Sequence, residues 1–172
     1  MKQPKYRILG IDPGNIETGY CLCDENMKPV EKDIVPNNDL LEKIYTKSFD
    51  FNPTDIAIEM VASYGMGVGR EVFETCVWIG RFYEACARLA PTGYVYRRDE
   101  KIALCGSMQA KDSNIKIALR DRYAKDVPNN GKGTKKEPGW FYGFSDDIWS
   151  AYAVAVTYSD LQNGLYVRPG NV

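Results

Sequence analysis

The order of its apolar segments constrains this chain more than any other feature. Tyr6–Ile11, Thr18–Cys23 and Pro29–Val35 read as three strands in succession, with Glu25-Asn26 as the turn between the last two. The pattern then changes. Asp39–Phe49 carries Leu40, Leu41, Ile44 and Tyr45 at helical spacing until Asn52-Pro53 breaks it, and Asp55–Met60 is a short apolar strand. Arg70–Leu89 is a long helix ended by Pro91-Thr92-Gly93, and Tyr94–Arg97 is a fifth strand. Asp112–Tyr123 reads as a helix with Asp112 as its N-cap, Val127–Gly139 as a polar loop, and Ser145–Leu161 as the last helix. A meander followed by strand–helix alternation predicts an α/β fold, a mixed five-stranded sheet flanked by helices. With no internal repeat and no linker, residues 1–172 read as one domain.

Composition removes several functions. Histidine is absent, which excludes His-based zinc sites, Ser-His-Asp triads and histidine general bases. The five cysteines (Cys21, Cys23, Cys76, Cys86, Cys105) include no C-x-x-C pair and read as reduced core thiols, Cys21 and Cys23 facing one side of their strand. No apolar run approaches the roughly 20 residues that span a bilayer. The polar, basic start Met1–Arg7, with the following apolar stretch cut short by Asp12, does not read as a signal peptide. The expectation is a cytoplasmic protein with no membrane partner.

Three acids interrupt apolar elements: Asp12 closes the first strand, Glu59 lies near the end of the fourth, and Asp147, beside Asp146, opens the final helix. A carboxylate at the end of a buried strand is costly unless paired or bound to a cation. If the first and fourth strands are parallel neighbours, Asp12 and Glu59 stand about 5 Å apart. Carboxylates so close repel one another until a cation intervenes. Hard oxygen ligands favour Mg²⁺ or Mn²⁺, and two such ions can hydrolyse a phosphodiester with no histidine. Each acid also has a separate structural reading: Asp12 as a turn residue before Pro13-Gly14, Glu59 as a partner of an arginine, Asp146 and Asp147 as helix N-terminal charges.

Charge is unevenly distributed. Residues 97–136 hold eleven basic side chains against five acidic ones, a local +6, and leave −7 to the rest of the chain. A basic segment on an acidic body is either a phosphate-binding face or a solvated lysine-rich stretch.

Ile8-Leu9-Gly10-Ile11-Asp12-Pro13-Gly14 with Thr18-Gly19-Tyr20 resembles the first motif of RuvC-type Holliday junction resolvases, and Ala57-Ile58-Glu59 their second. Asp147 followed by Ala151-Tyr152-Ala153-Val154-Ala155-Val156-Thr157 resembles their closing helix. Gly131–Val156, through Pro138-Gly139, Tyr142-Gly143 and Asp147-Ile148-Trp149-Ser150-Ala151, is closer still to the RuvC-like proteins of phages and prophages. The motifs occur in order from residue 8 to residue 158. The resemblance implies a ribonuclease-H-like fold, a homodimer, and metal-dependent paired nicks in junction DNA. It also implies Asp12, Glu59 and Asp147 as catalytic metal ligands for two Mg²⁺ or Mn²⁺ ions, and host cytoplasm if the gene is a phage's. Bacterial RuvC proteins carry a second acid three residues on in the last helix. Here that place falls on Ser150, a neutral ligand, and Asp146 points about 100° away around the helix.

By the same resemblance an aromatic wedge follows the second acid, and Tyr64, with Met66 beside it, is the candidate for unstacking bases at a crossover. Arg97, Arg98, Lys101, Lys111, Lys116, Lys132, Lys135 and Lys136 are the expected phosphate contacts. Arg70–Leu89, apolar over much of its circumference, is the expected dimer element. Other readings remain: a nuclease of the same fold on forks, flaps or RNA–DNA hybrid, or a branched-DNA-binding protein with a dead site, which Ser150 alone favours. Gly10–Gly14 also resembles the phosphate loop of actin-like and sugar-kinase-like ATPases, which need two such domains and a much longer chain.

Overall fold

A computed structural model describes residues 6–170; of the basic start Met1–Arg7, residues 1–5 lie outside the described residues. The elements run β1 (Ile8–Pro13), β2 (Glu17–Cys23), β3 (Pro29–Pro36), α1 (Asn37–Thr46), β4 (Asp55–Met60), α2 (Arg70–Ala87), β5 (Thr92–Tyr96), α3 (Arg97–Cys105), α4 (Asp112–Tyr123) and α5 (Asp146–Gln162). The strands form one mixed sheet in the order β3-β2-β1-β4-β5. The first three are antiparallel, whereas β4 joins β1 and β5 joins β4 in parallel.

Strand alternation divides the core in two. Leu9, Ile11, Tyr20, Leu22, Ile56 and Ile58 face one way and pack on α1 and α2. Ile8, Cys21, Cys23, Ala57 and Val95 face the other way, onto α5. Helix α5 is buried around nearly its whole circumference from Ile148 to Asp160. It can be so because α4 and the segment after it cover its outer side with Ile115, Leu119, Phe141 and Phe144. Arg122 of α4 donates two hydrogen bonds to Asp160 at 2.7 and 2.8 Å, and the Tyr152 hydroxyl donates to the Met27 carbonyl at 2.9 Å.

The structure corrects the sequence reading in places. Residues 97–105 form α3, a helix that the sequence reading lacked; Arg97 is its first residue and not the end of a strand. The segment opens on five charged residues, 97–101, and its apolar residues come together at 102–105, so no helical period stands out. Its start is held instead by Asp99, which accepts a hydrogen bond from the Tyr96 amide at 3.0 Å, and its end by Gly106 at φ +69°. Asp112 is not the cap of α4: Lys111 holds that position, and Asp112 is released to pair with Arg97. Helix α1 begins two residues earlier than expected and ends at Thr46, where Lys47 turns left-handed. The 127–139 loop is folded around a bridge between Gly133 and Pro138.

Candidate metal centre

Four residues along β1 from Ile8, with Gly10 midway, lies Asp12; two residues along β4 from Ala57 lies Glu59. The period of two therefore carries both acids to the α5 side of the sheet. Ile11 is in register with Ile58, so Asp12 and Glu59 are the next pair at the carboxyl ends of parallel strands. Their carboxyls are close enough to share a hydrogen bond. The Asp12 carboxyl is raised well above its usual range, first by burial, then by the charge and hydrogen bond of Glu59, then by the charges of Asp147 and Glu100.

Glycines bring α5 down onto this pair. A Cβ at Gly10 would lie 2.1 Å from the Ala151 carbonyl oxygen and 2.9 Å from the Ala155 Cβ. At Gly19 it would lie 2.5 Å from the carbonyl oxygen of Asp147. The first turn of α5 thus rests on β2 at Gly19, and Asp147 is set beside the strand ends. The turn after Asp12 is also pinned: the Asn37 amide donates to the Gly14 carbonyl at 3.0 Å, and the Thr18 hydroxyl donates to Asn37 Oδ1 at 2.5 Å.

Sequence reasoning missed the fourth acid. Glu100 on α3 is fully buried. Arg97 Nη1 donates to its Oε2 at 2.5 Å, while Arg97 Nη2 donates to Asp112 at 2.6 Å. Burial, then the Glu59 charge, push the Glu100 carboxyl well above its usual range. In the sequence Glu100 lies among Arg98, Asp99 and Lys101, and nothing distinguishes it from a solvated charge. Beside these acids a cavity of about 290 Å³ is lined by Arg97, Asp112, Lys116, Asp146, Asp147 and Ser150, among others.

The other expected ligands differ in placement. Asp146 is exposed and paired with Lys116 at 2.5 Å, and that lysine holds its carboxyl below the usual range. Ser150 lines the cavity with Asp147, its hydroxyl 3.4 Å from the Asp146 carbonyl to which it donates. Among the described residues no three His, Cys, Asp or Glu side chains are gathered closely enough to ligate one ion as they stand. The donor set nevertheless suits a hard cation: all ligating atoms are oxygen, one acid pair is close enough to share a hydrogen bond, and one buried carboxylate oxygen, Glu100 Oε1, has no hydrogen-bond partner.

Of the expected DNA contacts, Tyr64, Arg97, Arg98 and Lys101 line one cleft, together with Met108, which was not among them. Tyr64 is exposed at φ +46°, and Met66 is 73% exposed. Arg97 is committed to two carboxylates and Lys116 to one. Lys132 lies near enough to Asp146 for its charge to act there, and Lys111 is exposed at the start of α4. Lys135 and Lys136 occupy the tip of the turn closed by the Thr134 amide donating to the Glu137 carbonyl at 2.9 Å.

The chain matches no protein-family model and no curated protein sequence. Among solved structures it is similar to Thermus thermophilus RuvC in complex with a Holliday junction substrate, at TM-score 0.66 and 17% identity over 90% of this chain and 93% of that one. A second Thermus thermophilus RuvC structure matches at TM-score 0.59 and 18% identity, covering 94% and 98%. The yeast mitochondrial Holliday junction resolvase Ydc2 matches at 0.60 and 14%, covering 94% and 82%. The fold is the one these proteins share, the ribonuclease-H-like mixed sheet flanked by helices.

Proposed function

We propose that this chain is a divalent-metal-dependent endonuclease that cuts branched DNA, with four-way junctions as its principal substrate. The observation that carries the reading is the juxtaposition of Asp12 and Glu59 on neighbouring parallel strands below the first turn of α5. It gains weight from a fold shared with a RuvC seen on a Holliday junction. Asp12, Glu59 and Asp147 are the catalytic ligands in this reading, with Ser150 lending a neutral oxygen.

Mg²⁺ or Mn²⁺, two to a site, would supply an activated water and stabilise the leaving oxygen of the phosphodiester. The chain's own part is arrangement. Asp12 and Glu59 would hold the cation between the carboxyl ends of β1 and β4. The amino end of α5 adds its positive dipole end to the site. Lys116 lines the cavity where a scissile phosphate would enter, and the charge of Lys132 reaches Asp146 there. Tyr64 is the stacking group for a base opened at the branch point, and Arg98 and Lys101 of α3 line the same cleft.

We further assign α2 as the interface of a homodimer. Phe73 and Val77, one turn apart, are 62% and 63% exposed on its outer side. A twofold pair of sites suits paired nicks in a nearly symmetric junction.

The test is cleavage of a labelled four-way junction beside matched duplex, fork, flap and RNA–DNA hybrid, in Mg²⁺ and in EDTA. Asp12→Asn and Glu59→Gln should abolish cutting and keep junction binding. Wild-type cutting by both variants, or cutting in EDTA, refutes the proposal; faster cutting of forks or hybrid reassigns the substrate.

A further inference from the structure

Glu100 has no role in the assignment above, yet it is the most deeply buried acid near the site. It is 0% exposed, and it projects from α3, the helix that starts where β5 ends, one strand over from Glu59. Only half of its carboxylate is satisfied. Oε2 takes the hydrogen bond from Arg97, whereas Oε1 is sealed from solvent without a partner among the described residues. Buried carboxylate oxygens are rarely left so, because the lost hydration is not replaced. Its surroundings make the omission sharper. Arg97, which holds its Oε2, lines the same cavity as Asp147 and Ser150, and the negative charge of Glu59 on the neighbouring strand also acts on Glu100. Arg97 does not exhaust it, because the same guanidinium turns its other nitrogen to Asp112.

Helix α5, on its side, brings one carboxylate and one hydroxyl to the cavity, Asp147 and Ser150. Two divalent cations held by three carboxylates and a hydroxyl are under-neutralised relative to four carboxylates, and hard cations favour charged oxygen.

We propose that Glu100 is a metal ligand of this site, binding through Oε1 and supplying from α3 the negative charge that Ser150 does not bring on α5. The inference rests on the metal-site reading given above. Arg97 then acts as a positioning residue, holding Oε2 so that Oε1 faces the acid pair.

The test uses Mn²⁺ alone, without DNA. Binding to the full chain is measured by titration calorimetry and by the Mn²⁺-induced rise in melting temperature for wild type, Asp12→Asn, Glu100→Gln and Glu100→Gln/Ser150→Asp. Glu100→Gln should bind Mn²⁺ at least tenfold more weakly, or one ion fewer, while its metal-free form melts at or above wild type. The double variant should recover most of the loss. Wild-type affinity and stoichiometry in Glu100→Gln overturn the proposal.

If Asp12→Asn loses Mn²⁺ and Glu100→Gln does not, only the role of Glu100 falls. If Asp12→Asn binds like wild type, the metal-site reading itself falls. A measurement on unmutated protein guards against a misfolded variant: with glutamate carboxyl carbons labelled, Mn²⁺ should broaden the Glu100 and Glu59 signals together. A Glu100 signal that stays sharp at saturating Mn²⁺ also overturns the proposal.

Discussion

Gly19→Ala tests whether the approach of α5 to the sheet sets the position of Asp147. The added methyl would lie 2.5 Å from the Asp147 carbonyl oxygen, 2.8 Å from its carbonyl carbon and 3.0 Å from its Cβ. These are mostly backbone atoms, which cannot rotate aside as a side-chain tip can. Ordinary contact begins near 3.4 Å, so the first turn of α5 must retreat by about 0.9 Å. Overpacking of this kind costs about 1–3 kcal/mol, a fall in melting temperature of roughly 3–10 °C for a chain of this size. The effect on cleavage should be larger. A ligand displaced by about 1 Å costs on the order of 100-fold in rate. The control is Gly93→Ala, whose methyl meets the Tyr158 ring at 2.8 Å. That ring can turn, and Gly93 lies beside Ala57, further down the sheet than Glu59. Junction cleavage and Mn²⁺ affinity are measured at a temperature where both variants are folded. Gly19→Ala cutting like wild type, or Gly93→Ala losing as much, refutes the placement of Asp147 by this glycine.

Further outcomes concern other parts of the molecule. In EDTA, stability should fall as pH rises from about 4 towards neutrality: Asp12, with an unfolded value near 3.8 and a raised folded value, holds its proton more tightly in the native state. Asp12→Asn should melt higher than wild type at pH 7 and show a shallower slope, the remainder coming from Glu100, and an unchanged slope in thermal melts would contradict the account. Replacing Lys135 and Lys136 together by alanine should flatten the salt dependence of junction binding by up to about 2 in log–log slope; an unchanged slope removes that turn from the contact. Arg122→Met leaves the Asp160 carboxylate buried without its partner, and should cost about 3 kcal/mol in denaturant unfolding, the lower end for such pairs because the arginine is partly exposed. A loss below about 1 kcal/mol would show that Asp160 finds another partner. Phe73→Asp/Val77→Asp should sediment as a monomer at concentrations where wild type is a dimer; identical sedimentation of the two refutes the α2 interface.

Much of the fold was legible because burial leaves a period in the sequence. The run Ile8-Leu9-Gly10-Ile11 and the run Ile56-Ala57-Ile58 divide between two cores, as alternating strand residues must. An acid at the end of each run stood out against its apolar surroundings. Charged helices leave no such mark. Residues 97–105 bury Asp99 and Glu100 through ion pairs with Arg168 and Arg97, partners separated by 69 residues in one case and three in the other. Sequence spacing cannot tell those buried charges from solvated ones, so α3 and its carboxylate were missed. Lys116 fails for the same reason: its charge was legible, its commitment to Asp146 was not.

Helix α5 follows all five strands in the sequence, yet it packs on the sheet and contacts every one of them. Until it emerges, Ile8, Cys21, Ala57 and Val95 lack the helix that covers them, and the sheet is a half-built core with one greasy side open. Burial of this face must therefore await the synthesis of residues 146–162. A ribosome stalled before residue 146 would display a sticky, chaperone-binding surface. Because the same helix carries Asp147, the strand acids gain that neighbour only when this surface is sealed, so the proposed metal centre would assemble no earlier than the second core.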